Sequence, residues 1–134
     1  MVKQIAHMAI EISDLDKSIE FYCGAIGLER KFDGKNKDGK ISMVYLKVCE
    51  GVFIEMFPSG IHKPDRKDYL IGYHHLCFEV DDINVAAEKM QSKGIILTHP
   101  VTKGSDNSYQ FWVNDPDGNP IEFMQYTAES LQLS

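Results

Sequence analysis

Residues 5–22, IAHMAIEISDLDKSIEFY, and residues 73–90, YHHLCFEVDDINVAAEKM, are two versions of one segment. Laid one over the other, His7 falls on His75, Glu11 on Glu79, Asp14 on Asp82 and Glu20 on Glu88, each pair 68 residues apart. Further on, EGVFIEMF (50–57) matches DGNPIEFM (117–124). Gly51 then falls on Gly118 and Glu55 on Glu122, 67 residues apart, and Gly27 and Gly94 keep that second spacing. One residue is therefore gained or lost near the end of the first helical segment. A 134-residue chain that repeats at half its length has few folds open to it. Each copy, of about 65 residues, is short for an easy independent core, so one domain built from two repeats is expected. The repeats cover about 1–57 and 73–126, joined by a connector at 58–72 with two prolines and mixed charge.

Each copy reads as βαβββ. It opens with an alternating strand (4–12; 73–80), and Ser13-Asp14 or Asp81-Asp82 then supplies a helix N-cap. The first helix places Leu15, Ile19, Tyr22 and Ile26 on one face, and the second does so with Ile83, Ala87 and Met90. Gly27 and Gly94 suit the left-handed position that ends a helix. Three strands follow in each copy, near 28–33, 41–48 and 51–57, and near 95–99, 108–114 and 119–126. The last residues, TAESLQLS, read as a loose tail or a short helix.

Strand periodicity then sorts side chains by face. In the first strand Met8, Ile10 and Ile12 point toward the helix, while His7, Ala9 and Glu11 point away. In the repeat Leu76, Phe78 and Val80 form the apolar face, with His75, Cys77 and Glu79 opposite. The adjacent His74 matches Ala6 and falls on the helix side, with no chemistry assigned. In the last strands Phe53, Glu55 and Phe57 share one face, as do Glu122, Met124 and Tyr126. A carboxylate inside VFIEMF is costly on a half-buried sheet unless it has a partner. One His and one Glu thus come from each copy: His7 with Glu55, and His75 with Glu122. If the copies pack about a pseudo-twofold axis, these four form an N2O2 site for a divalent transition metal, with room for two waters. Taken singly, each is equally an ordinary strand histidine or a solvated edge glutamate.

The remaining bulk properties exclude several classes. The net charge of −6 argues against a general binder of nucleic acid or anionic membrane, since both need a positive field. No run of about 18 apolar residues is present to span a bilayer, and the start of the chain reads directly as a strand rather than a signal peptide. Cys23, Cys49 and Cys77 are odd in number and widely spaced, which implies reduced thiols and a cytoplasmic location. A phosphate loop, a nucleophile elbow and zinc-finger spacing are all absent from the sequence.

The segments HMAIEISDLDKSIEFYCGAIGL, YHHLCFEVDDI and FWVNDPDGNPIEFMQ carry a resemblance to the vicinal oxygen chelate superfamily, and within it to the glyoxalase I (lactoylglutathione lyase) type. It covers almost the whole chain, and its most specific part is the D-P-D-G-N turn leading into Glu122. The resemblance implies an α+β fold of two tandem βαβββ modules whose sheets form a metal-containing cleft. It implies His7, Glu55, His75 and Glu122 as metal ligands, with nickel or cobalt suited to the set and zinc as a third candidate. The implied activity is a lyase/isomerase that converts the hemithioacetal of a 2-oxoaldehyde and a thiol to a 2-hydroxyacyl thioester. The proton moves through an enediolate that the metal stabilises, with Glu122 as base and Glu55 as its counterpart.

The sequence departs from the glutathione-dependent pattern at Glu11, where a basic residue is usual, and Glu79 adds a second acid. Lys103 resembles the lysine of a cofactor-clamping loop. Arg30, Lys47, Lys63 and Arg66 are other basic candidates, each equally a solvated side chain. Met43, Tyr45, Phe53, Phe111 and Met124 are candidates for an apolar substrate wall or for core, and Trp112 reads as core or interface. Cys77 reads as a small buried residue, and His62 and His99 as surface. The partners expected are a small-molecule substrate, a thiol cosubstrate such as glutathione, and a second copy in a homodimer. The alternatives are another enzyme of the superfamily, an epimerase or dioxygenase, and a non-catalytic small-molecule-binding resistance protein of the same fold.

Overall fold

The computed structural model describes residues 1–65 and 70–134. The chain divides into two compact units, Met1–Asp65 and Arg66–Ser134, and each contains one of the repeats. The connector expected at 58–72 includes residues 66–69, and Arg66 with them lies outside the described residues. Among those described, no helix is long and apolar enough to cross a membrane.

In the first unit β1 (His7–Glu11) leads into a helix, α1 (Leu15–Ile19), that continues as a π-helical stretch over Glu20–Ile26. β2 (Glu29–Lys35), β3 (Ile41–Cys49) and β4 (Val52–Phe57) follow. The sheet order is β1-β4-β3-β2, with β1 parallel to β4 and the other pairings antiparallel. The second unit repeats this with β5 (Leu76–Glu79), α2 (Ile83–Ser92), β6 (His99–Lys103), β7 (Tyr109–Asn114) and β8 (Pro120–Gln125). Its order, β5-β8-β7-β6, is the same. The expected α+β architecture of two βαβββ modules is therefore observed.

Each helix starts where the sequence places its cap. The Asp14 carboxylate accepts the N–H of Lys17, and that of Asp82 accepts the N–H groups of Asn84 and Val85. Gly27 and Gly94 take positive φ, 97° and 77°, which a residue with a Cβ adopts only under strain. In α2 the buried residues are Ile83, Ala87 and Met90, as the periodicity predicts. The first helix differs. Ser18, Phe21, Tyr22 and Ala25 are buried, whereas Leu15, Ile19 and Ile26 are only partly covered.

The reason lies in the repeat spacing. The extra residue of the first copy falls between Glu20 and Gly27, and the π-helical stretch occupies that interval. The N–H of Gly27 reaches back five residues to the carbonyl of Tyr22. One residue inserted into an α-helix is accommodated by this wider turn, which rotates the face that follows. Phe21 and Tyr22, adjacent in sequence, are both buried, with ring centroids 5.0 Å apart.

The helix-side face of each sheet is its core. Val44, Leu46, Ile54 and Met56 are at most 1% exposed in the first unit, as are Phe111, Val113 and Ile121 in the second. Burying each such side chain contributes about 1.5–3 kcal/mol. The Phe111 and Phe123 rings stack at 4.8 Å.

Two edges differ from expectation. β5 begins at Leu76, so His74 and His75 precede it, and β6 runs over His99–Lys103 rather than 95–99. The tail is secured. Leu131–Leu133 form one 3-10 turn, Ser130 Oγ lies 2.8 Å from Ser108 Oγ, and the Leu131 N–H donates to the Asp106 carbonyl.

Candidate metal centre

Each unit presents one histidine and one glutamate on the sheet face opposite its helix. In the first, β4 carries Glu55 between Ala9 of β1 and Tyr45 of β3. His7, at the start of β1, points its Nε2 at Glu55 Oε2 across 3.4 Å. In the second, β8 carries Glu122 between Cys77 of β5 and Trp112 of β7. His75 Nε2 lies 2.9 Å from Glu122 Oε2. The turn that delivers Glu122 is held by Asp115, whose carboxylate accepts the N–H groups of Asp117 and Asn119 and the Asn119 side-chain amide. This fixes the β7–β8 register, Trp112 opposite Glu122.

The pairs differ in enclosure. The His7 side chain is 44% exposed and that of His75 30%. Around Glu55 the neighbours are aromatic. The Tyr45 ring stacks on Phe32 at 4.7 Å and meets Phe53 and His7 edge-on. Burial, followed by the charge of Glu55 and a hydrogen bond to it, pushes the Tyr45 phenol above its ordinary range. Around Glu122 the neighbours are Trp112, whose ring lies 4.5 Å from that of His75, and Cys77. Burial, then the charge of Glu122, pushes the Cys77 thiol up to about 12, so it is a protonated, inert thiol at neutral pH.

The donors fit a divalent transition metal. Imidazole nitrogen and carboxylate oxygen held side by side on one ion, at about 2.0–2.2 Å each, lie roughly 3.0–3.4 Å from one another. The two Nε2–Oε2 separations, 3.4 and 2.9 Å, lie at the upper end of that range and just below its lower end. Among the described residues the donors come as these two pairs, and no group of three or more His, Cys, Asp or Glu side chains gathers around one point.

Several other side chains sit away from where the sequence places them. Trp112 lies on the Glu122 face beside His75, not in the core. Its repeat mate Tyr45, 67 residues earlier, is the sequence signal that finds it. Phe111 is core, fully buried against Phe123, and so is not available as a substrate wall. Met124 shares the face of Glu122 but is 9% exposed. Met43, Tyr45 and Phe53 lie on the Glu55 face and are half-buried. His74 does not point to the helix side. Its Nδ1 lies 2.7 Å from Nδ1 of His75, because the strict alternation of a strand begins only at Leu76.

The basic candidates meet acids of their own. Lys103, at the end of edge strand β6, donates to Glu129 at 3.2 Å. Arg30 makes two hydrogen bonds to Asp33, and Lys47 donates to Glu50 at 2.7 Å. Lys63 is exposed, as are His62 and His99. Glu11 is exposed and accepts a hydrogen bond from Ser59 Oγ at 2.7 Å. The three cysteines are free.

Comparison with known proteins agrees with this architecture. A probable lactoylglutathione lyase of Synechocystis sp. is 30% identical over 129 residues, covering 93% of this chain and 97% of that protein. A probable lactoylglutathione lyase of Vibrio cholerae is 32% identical, with 91% and 90% covered. The crystal structure of a glyoxalase family protein from Enterococcus faecalis superposes with a TM-score of 0.77 at 25% identity, covering 91% of this chain and 97% of that one. Residues 4–123 match the family described as Glyoxalase/Bleomycin resistance protein/Dioxygenase superfamily. A match over that much of the sequence, with relatives aligned nearly end to end, means that the chain belongs to the glyoxalase/bleomycin resistance protein/dioxygenase superfamily.

Proposed function

We propose that the chain is a metal-dependent lyase/isomerase of the glyoxalase I type, which turns the hemithioacetal of a 2-oxoaldehyde and a thiol into a 2-hydroxyacyl thioester. The observation that carries this reading is the repeated pair, an imidazole Nε2 directed at a carboxylate oxygen at the same place in both modules. In this reading His7, Glu55, His75 and Glu122 act as one ligand set, and the two repeats act as one functional domain. The metal, nickel or cobalt with zinc third, supplies charge stabilisation to the vicinal oxygens of the substrate.

The proton chemistry falls to the carboxylates. Glu122 is the base that takes the proton from the thiol-bearing carbon and returns it to the adjacent carbon, so the reaction needs no other reactant. Glu55 is the counterpart for the opposite face. The difference in neighbours supports this assignment: beside its histidine, Glu55 accepts a hydrogen bond from the Tyr45 phenol, while at the matching position across from Cys77, Glu122 meets only a weaker thiol donor.

Lys103 is the proposed grip on the carboxylate of the thiol cosubstrate, with glutathione the first thiol to try because the relatives are named for it. Its exposed bridge to Glu129 is worth about 0–1 kcal/mol, little enough to exchange for a substrate carboxylate. The same reading takes the protein to be a cytoplasmic homodimer acting on a small molecule.

The test supplies the metal-free protein with nickel, cobalt or zinc and offers methylglyoxal with glutathione or another cellular thiol. Thioester formation is followed by its absorbance, and metal content is measured per chain. One metal per chain with thioester formed is expected. If no metal and thiol combination yields thioester, the reading fails. Iron-dependent oxygen uptake in its place would identify a dioxygenase.

A further inference from the structure

We propose that His74 is a positioning residue for His75: its Nδ1 accepts the Nδ1–H of His75 and so fixes the tautomer in which His75 offers its Nε2 lone pair to a metal. The inference rests on the reading of His75 as a ligand.

The two Nδ1 atoms are 2.7 Å apart, so one carries the proton and the other accepts it. A neutral imidazole has one donor nitrogen and one acceptor nitrogen. In the metal-free chain His75 Nε2–H donates to Glu122 Oε2, and once Nε2 is given to a metal instead, the proton of a neutral His75 must sit on Nδ1. His74 Nδ1 is then the acceptor, and His74 keeps its own proton on Nε2. A ligating histidine is commonly oriented in this way, by the partner of its second nitrogen.

The local fold makes the contact available. Both residues precede Leu76, where β5 begins, so their rings are free to turn toward one another. They meet edge-on, with centroids 4.9 Å apart, and Trp112 closes on His75 from a third side at 4.5 Å. His75 is thus held by Glu122, His74 and Trp112 together. The first repeat has Ala6 in place of His74, which offers no nitrogen to His7.

The test measures Zn2+ affinity by competition with a chromophoric chelator in the full chain and in His74→Phe, His74→Asn and His75→Ala. Phenylalanine keeps a ring beside Trp112 and loses the acceptor, while asparagine places an acceptor oxygen near the Nδ1 position and loses the ring. An outer-shell acceptor of this kind is worth about 10- to 100-fold in metal affinity, so His74→Phe should weaken Zn2+ by that factor and His74→Asn by about threefold at most. In the Zn2+-loaded protein, 15N spectra should show the His75 ring proton on Nδ1, with coupling to His74 Nδ1.

The opposite ranking, equal losses in both variants, no loss in either, or no such coupling would each overturn the proposal. If His75→Ala retains full Zn2+ affinity, the metal reading itself falls and His74 falls with it. If His75→Ala loses Zn2+ while His74→Phe does not, only the positioning role is lost.

Discussion

The two repeats hold the same pair of residues in different surroundings. In the first, Glu55 sits between Ala9 and Tyr45, and His7 meets Tyr45 edge-on. In the second, Glu122 sits between Cys77 and Trp112, and His75 is gripped on both ring nitrogens. The sheet topology is common to both and the flanking side chains are not. What the repeat conserves is the backbone that aims a histidine at a glutamate. What has diverged are the neighbours that surround each pair. The second module encloses its histidine more closely, and the first sets an aromatic cluster beside its pair.

The sharpest way to break this contrast is to neutralise each carboxylate in turn. Glu122→Gln should lower kcat by about 10²- to 10⁴-fold, the usual worth of a positioned acid–base group, with Glu55→Gln losing less once metal occupancy is matched. Equal losses would mean that the neighbours do not divide the roles. Cys77 tests the same asymmetry through alkylation. With its thiol at about 12 rather than an ordinary 9, its thiolate at pH 8 should be scarcer by about a thousandfold. Iodoacetamide followed by peptide mass mapping should therefore label exposed Cys49 first and Cys77 last. Glu122→Gln should speed Cys77 labelling, because the nearby negative charge is gone.

The cores differ too, since Val44 in the first module stands where Phe111 stands in the second. Phe111→Ala should cost about 3–5 kcal/mol in urea denaturation, as it opens a cavity beneath Phe123, and Val44→Ala distinctly less. The smallest expected effect is at the caps. Asp82 accepts two backbone N–H groups and Asp14 one, so Asp82→Ala should destabilise by about 1 kcal/mol and Asp14→Ala by less.

Much of this was legible in the sequence because it is periodic. Strand alternation puts His7 with Glu55 and His75 with Glu122 on one face, and the caps and helix-ending glycines are local chemistry. Trp112 departs from the expected core position because it shares the face of its repeat mate Tyr45, while its chain neighbour Phe111 takes the core side. The buried face of the first helix differs from the expected one because a 3.6-residue period fails across a π-helical turn. His74 departs from its expected face because strand alternation does not reach the two residues before the start of β5. The pairing of Lys103 with Glu129 joins residues 26 apart through the folded tail, and no local pattern encodes it.

The π-helical turn at Glu20–Ile26 makes the first helix a buffer for chain length. A one-residue slip in β1 or β4 would exchange the two faces of the sheet and turn His7 or Glu55 away from its partner. The same slip in the helix is absorbed as a wider turn, and Gly27 ends it before β2 begins. Strands here are locked in phase and helices are elastic. Removing one residue between Glu20 and Ile26 would give the first helix the spacing of its sibling, so this is the stretch where recombination between the halves can tolerate a mismatch.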